Sequence, residues 1–185
     1  FMLAAYGTLG LIANVALIIH VQEEEGTGLA VSLLFLVAML PALLAPLTGV
    51  FADRFDRRSV LVGCEAAQAM LGLVVVLWLP ALPVLLVVLF AKAIAAHIND
   101  TAGRRAISAL VPDSSLVAAN AWYGSVRQAA DVIGPLLGGV LVALGSVRVA
   151  LSVDVVTFVV SVPLVLRLPR LIPEPVANAT SWLSD

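Results

Sequence analysis

The stretch Gly49-Val50-Phe51-Ala52-Asp53-Arg54-Phe55-Asp56-Arg57-Arg58 joins two long apolar runs, about 29–51 and 59–79. Three arginines crowd a short loop while each flank stays oil-like for about 20 residues, the length that crosses a bilayer core as a helix. Working outward, the same pattern recurs along the 185 residues. Six candidate spans cover 1–21, 29–51, 59–79, 83–99, 121–144 with an interfacial lead-in from 116, and 147–168. The connections between them are short, except for 100–120. Composition agrees: 62% of residues are hydrophobic and 12% charged, with a mean hydropathy of +1.10. So little polar surface cannot cover a water-soluble domain of this size. The apolar runs are continuous rather than alternating, which excludes the strands of a membrane barrel. The expected class is an all-α membrane protein of six transmembrane helices.

Orientation follows from Lys and Arg in the short loops. Arg54, Arg57, Arg58, Arg104, Arg105, Arg167 and Arg170 fall on one side. Only Arg148 and the acidic run Glu23-Glu24-Glu25 mark the other. The arginine-rich side is therefore expected to face the cytoplasm of a plasma or inner membrane, with both chain ends on that side. The bundle is expected to occupy 1–168. The proline-bearing tail 169–185 then begins a cytoplasmic linker. The first apolar run opens at Phe1 with no basic leader or cleavage site. It is not read as a signal peptide, and a chain that starts within a longer protein is expected.

The 49–58 loop resembles the G-x-x-x-D-R-x-G-R-R signature of the major facilitator superfamily, with Asp56 in place of the second glycine, as in drug-efflux and siderophore-exporter branches. The resemblance extends across nearly the whole chain, including Thr101-Ala102-Gly103-Arg104-Arg105-Ala106 and the helix-five segment Asp131-Val132-Ile133-Gly134-Pro135-Leu136-Leu137-Gly138-Gly139. That segment looks like the superfamily's G-P-x-x-G-G antiporter motif. The longer pattern's upstream glycines fall on Ala130 and Ala121. The resemblance implies the N-terminal six-helix half of a transporter, built as two inverted three-helix repeats, and a second six-helix half or a homodimer as partner. It also implies that Gly49, Asp53, Arg54, Arg57 and Arg58 form a conformational lock against the other half. The implied function is secondary active transport, with proton-coupled efflux of drugs or small amphipathic metabolites ahead of import by the same fold. A transport-incompetent membrane module that regulates a partner is the alternative.

Residue physics supplies a second reading beside each of these. Arg57 and Arg58 also set topology. Gly134 and Gly138 form a small-xxx-small face, and Pro135 with Gly139 marks a packing kink or a gate. Glu65, Lys92, Arg127, Asp131 and Asp154 are ionisable residues inside spans. A charge at the bilayer centre costs roughly 2.5–3.5 kcal/mol on insertion scales, so such residues are functional candidates. Arg127 and Asp131 are spaced to pair along one helix face. Lys92 and Asp131 both fall near the midplane, where they are placed to meet across a cavity. Asp131 reads either as a proton or cation coupling site or as half of a fixed ion pair. Asp154 is expected near Arg148 or the outer interface, and Glu65 nearer the cytoplasm. Helix one carries no acid; Asn14 is a candidate for substrate contact or an interhelical hydrogen bond. His20 and His97 lie near opposite faces and suggest no metal site. No nucleotide-binding pattern or catalytic triad is present. The expected partners are therefore lipid and a small-molecule substrate, with no nucleic acid, cofactor, metal or enzymatic activity.

Overall fold

A computed structural model describes the backbone of residues 2–43 and 55–169, with side chains from residue 12 onward. Gly49, Asp53 and Arg54 of the signature loop lie outside the described residues, as does the tail from 170. The described chain forms six α-helices: α1 (Met2–Glu25), α2 (Gly28–Leu43), α3 (Arg57–Trp78), α4 (Leu82–Leu110), α5 (Leu116–Leu144) and α6 (Val147–Val165). A 3₁₀ turn at Asp113–Ser115 leads into α5. Four of the helices are long and apolar enough to cross a membrane. The bundle turns Leu36, Met70, Leu77, Trp78, Val132 and Leu136 outward. A water-soluble monomer does not expose so much continuous apolar surface. In a bilayer the same faces meet lipid at no cost.

Local chemistry explains the helix ends. α1 closes on Gly26, whose φ of 62° is the left-handed conformation that glycine adopts without steric cost. Its N–H returns to the Gln22 carbonyl at 3.2 Å. Asp56, the residue that departs from the signature glycine, caps the start of α3. Its carboxylate accepts from the Ser59 N–H at 3.0 Å and from the Ser59 hydroxyl at 2.7 Å. An N-terminal carboxylate satisfies free N–H groups and meets the positive end of the helix dipole. Pro83 enters α4 in its first turn, where its missing N–H is not needed.

Three boundaries differ from expectation. α1 runs through the acidic run to Glu25 rather than ending at 21. The 100–120 stretch is not one long connection: α4 runs 29 residues, about 43 Å at 1.5 Å per residue, against a core of about 30 Å. The polar letters Asn99, Asp100 and Arg104 do not mark the helix end. Ala102 and Ala106 on the same helix are fully buried against Val60 and Leu61 of α3, which keeps the helix packed. α6 ends at Val165 rather than at 168.

The core sits where α1 passes between its neighbours. Ile12, Ala13, Ala16 and Leu17 of α1 join Ala30 and Leu34 of α2, Val75 of α3, Leu85 of α4 and Ala150 and Leu151 of α6. α1 lies most closely on α5 and also on α6; α4 lies on α3 and α2; α3 lies on α6. Small residues permit the closest approach. A Cβ at Gly138 of α5 would come within 2.9 Å of the Ile12 carbonyl oxygen and 3.1 Å of its Cα. Backbone atoms cannot swing aside, so only glycine fits.

Gly138→Ala should therefore destabilise the detergent-purified protein by about 1–3 kcal/mol, the usual range for overpacking. Thermal unfolding reads this as a lower midpoint. Gly139→Ala, where a Cβ would meet nothing within 4 Å, should leave the midpoint unchanged.

Candidate functional site

The helices enclose a cavity of about 440 Å³ with contributions from all six. Its greasy walls come from Leu17, Leu34, Phe35, Met39, Leu89 and Phe158. Its polar groups are Asn14 of α1, Gln68 of α3, Lys92, His97, Asn99 and Asp100 of α4, and Tyr123, Arg127 and Asp131 of α5. Asn14, Lys92, Arg127 and Asp131 all line this cavity. Glu65 is not on the wall; it is fully buried behind it. Gly134 and Gly138 face the bundle interior, and α5 continues as a helix through Pro135 to Leu144. Arg57 lies in the first turn of α3, its Nε buried without a partner among the described residues. Arg58 follows it in the same turn.

The ion pairs are not those expected. Lys92 Nζ lies 2.9 Å from Asp154 Oδ2 on α6, not on Asp131. Asp154 is 1% exposed and Lys92 13%, so this pair is desolvated. It lies in the bundle rather than near Arg148. Lys92 also sits 5.6 Å from the centre of the Phe158 ring, close enough for a cation–π contact. Gly72 of α3 makes the space: a Cβ there would lie 3.5 Å from Lys92 Nζ and 2.9 Å from Val155 Cγ2. Helix spacing alone placed Lys92 and Asp131 at one depth, but depth does not set the direction in which a side chain points.

Arg127 likewise makes its ion pair with Asp100 of α4 rather than with Asp131. Asp100 also accepts from the Tyr123 hydroxyl at 2.8 Å and pairs with Arg104 at 3.2 Å. Arg104 lies 5.4 Å from the Tyr123 ring centre. α4 and α5 otherwise touch little, so this group of four side chains ties them together. A carboxylate that gathers two guanidinium groups and a phenol outcompetes a single i,i+4 contact. Asp100 was the residue that motif reading passed over; its i,i+4 spacing to Arg104 was the available signal. Asn99, Tyr123 and Ser161 left no such trace.

One ionisable group on the wall is different. Asp131 is exposed to the cavity and makes no hydrogen bond or ion pair among the described residues. Lys92 and Arg127 are each held by a carboxylate.

A family model of the Major Facilitator Superfamily matches residues 1–183. The chain belongs to the Major Facilitator Superfamily. It is therefore a multi-pass membrane protein with half of a major facilitator fold, related to efflux-type transporters. It is 26% identical to macrolide efflux protein A of Streptococcus pyogenes over 167 residues, 86% of this chain and 41% of that protein. It is 27% identical over 176 residues to a Na(+), Li(+), K(+)/H(+) antiporter of Planococcus maritimus, covering 90% of this chain and 42% of the relative. An uncharacterized MFS-type transporter, YfiS of Bacillus subtilis strain 168, is 27% identical over 149 residues, 80% and 36% of the two chains. The chain thus spans about two-fifths of the length of these curated relatives.

The Lys92–Asp154 pair gives a stability test. Lys92→Met strands a buried carboxylate, and breaking such a pair from one side costs about 3–5 kcal/mol. Adding Asp154→Asn should recover part of that loss. The thermal midpoints of the two single variants and the double variant, taken as a cycle, read the coupling.

Proposed function

We propose that this chain is the N-terminal half of a proton-coupled exporter of drugs or small amphipathic metabolites, and that Asp131 is a coupling residue on its cavity wall. The observation that carries the reading is the charge arrangement. The cavity is mostly apolar, its two cations are each neutralised by a carboxylate, and Asp131 faces the open space without a hydrogen bond or ion pair among the described residues. A carboxylate on such a wall is suited to exchange a proton or a cation as its surroundings change. A greasy space of about 440 Å³ is within the range that holds drug-sized ligands. The efflux and antiporter names of the relatives support the direction and the coupling.

The helix neighbours support a pair of three-helix repeats. Exchanging α1, α2 and α3 for α4, α5 and α6 turns the α1–α5 contact into α4–α2 and the α1–α6 contact into α4–α3, and it maps α3–α6 onto itself. Inverted repeats of this kind rock around a midplane site. The apolar cavity then belongs between this half and a second six-helix half, with the 49–58 loop as the lock on the cytoplasmic side. Both chain ends are placed in the cytoplasm by the arginine-rich loops.

The test is flux in vesicles carrying the full-length transporter, with an imposed pH gradient. Asp131→Asn should lower gradient-driven export about tenfold or more, the equivalent of at least ~1.4 kcal/mol, while binding of substrate persists. Unchanged gradient-driven flux would remove Asp131 from the coupling role. Single cysteines at positions 24 and 104 should label from opposite faces of sealed vesicles; labelling of both from one face overturns the orientation.

A further inference from the structure

From the cavity wall inward, α3, α4 and α6 meet along a polar seam arranged in two layers, of which Lys92 and Asn99 reach the wall. The upper layer holds Gly72, Lys92 and Asp154. The lower layer holds Glu65, Asn99 and Ser161. In each helix the two members are seven residues apart, two turns or about 10 Å. The upper layer contains a cation and an anion. The lower layer contains an acid and two neutral groups.

Glu65 is 0% exposed. Its Oε1 accepts from Asn99 Nδ2 at 2.7 Å, and its Oε2 is in hydrogen-bond contact with Ser161 Oγ. No cation pairs with it among the described residues. The charged groups facing it from the packed helices are Asp154 of α6, which has the same sign, and Lys92 of α4, which Asp154 already holds. Cys64 is its titratable neighbour on α3. His97 of α4 is on the cavity wall. An isolated buried carboxylate with no countercharge is among the costliest arrangements in a protein interior.

Hydrogen counting is compatible with a proton on Glu65. Ser161 Oγ also lies 3.0 Å from the Phe158 carbonyl oxygen. A hydroxyl has one hydrogen. A carbonyl can only accept, so if Ser161 donates to Phe158 the hydrogen in the Ser161–Glu65 contact must come from Glu65. The layer is short of donors elsewhere too: Asn99 Oδ1 is buried with no partner among the described residues. One added proton completes the Glu65–Ser161–Phe158 chain, with Oε2–H donating to Ser161 Oγ and Ser161 O–H donating to the Phe158 carbonyl.

We infer that Glu65 is a proton-binding site, occupied in this conformation and separate from Asp131. Its ligand is a single proton held as the neutral carboxylic acid between Asn99 and Ser161. Removing that proton leaves a carboxylate, and Ser161 must then turn its hydroxyl from the Phe158 carbonyl to Oε2. The change is therefore felt in the backbone of α6, one turn below the Lys92–Asp154 pair. The inference stands on the packing of three helices and holds whichever way substrate moves.

Infrared spectroscopy of the full-length protein in lipid at neutral pH tests it. The parent should show the carbonyl stretch of a protonated carboxylic acid above the amide band, shifting on exchange into D₂O. Glu65→Gln should abolish that component, and Asp131→Asn should leave it. Should Glu65→Gln fail to fold, Ser161→Ala decides: it removes the acceptor of the acid hydrogen, so the band must move to higher frequency. Absence of the band in the parent overturns the assignment. So does its persistence unchanged in Glu65→Gln, or in Ser161→Ala where only that variant folds. Because the readout is spectral, loss of pH-driven flux in Asp131→Asn with the Glu65 band intact supports both sites, and normal flux with the band intact removes only the Asp131 role.

Discussion

Hydrocarbon offers a polar side chain neither a hydrogen bond nor a countercharge, and this constraint organises the whole bundle. Each ionisable residue in a span is turned inward and given a partner or a place on the cavity wall. Lys92 finds Asp154, Arg127 finds Asp100, and Glu65 lies between Asn99 and Ser161. The outward faces keep Leu36, Met70, Leu77 and Trp78 for lipid. The seam between α3, α4 and α6 and the cavity beside it are what remains when every polar atom has been withdrawn from the oil.

Close backbone approach is the second requirement, because lipid does not drive helices together as water does. Glycine and alanine supply it. Gly138 lets α5 lie on the α1 backbone at Ile12, and Gly72 clears the volume that Val155 and the Lys92 ammonium fill. The second case links packing to chemistry. A side chain at Gly72 would crowd the ion pair whose neutrality leaves Asp131 as the unpaired charge on the wall. Asp56 shows the same economy at the membrane surface, capping α3 where the family's signature has a glycine.

The helix contacts define how the half can move. α4 and α5 touch little except through Asp100, Arg127, Tyr123 and Arg104. A contact carried by charge-assisted hydrogen bonds responds to protonation and to substrate more readily than one carried by apolar area. The α1–α5 contact rests on buried small and apolar residues. An apolar seam beside polar ones suits a cavity whose wall shifts at one edge.

Much of this was legible in the letters. Apolar run length set six helices, and the 49–58 loop pointed to the superfamily that the family match over residues 1–183 shows. The inward charges were legible too, because their cost in lipid is a property of each residue alone. Their partners were not. Periodicity gives the depth of a residue along its own helix, but Lys92 chose Asp154 over Asp131, and Arg127 chose Asp100, according to how three helices rotate and cross. The end of α4 was misjudged for the same reason: Asn99, Asp100 and Arg104 do not mark it, and burial of Ala102 and Ala106 against α3 keeps the helix packed. Sequence by itself determined which segments enter the membrane and which charges must hide there. Only the tertiary structure decided what each charge hides against, because that depends on helix rotation, which one-dimensional spacing does not contain.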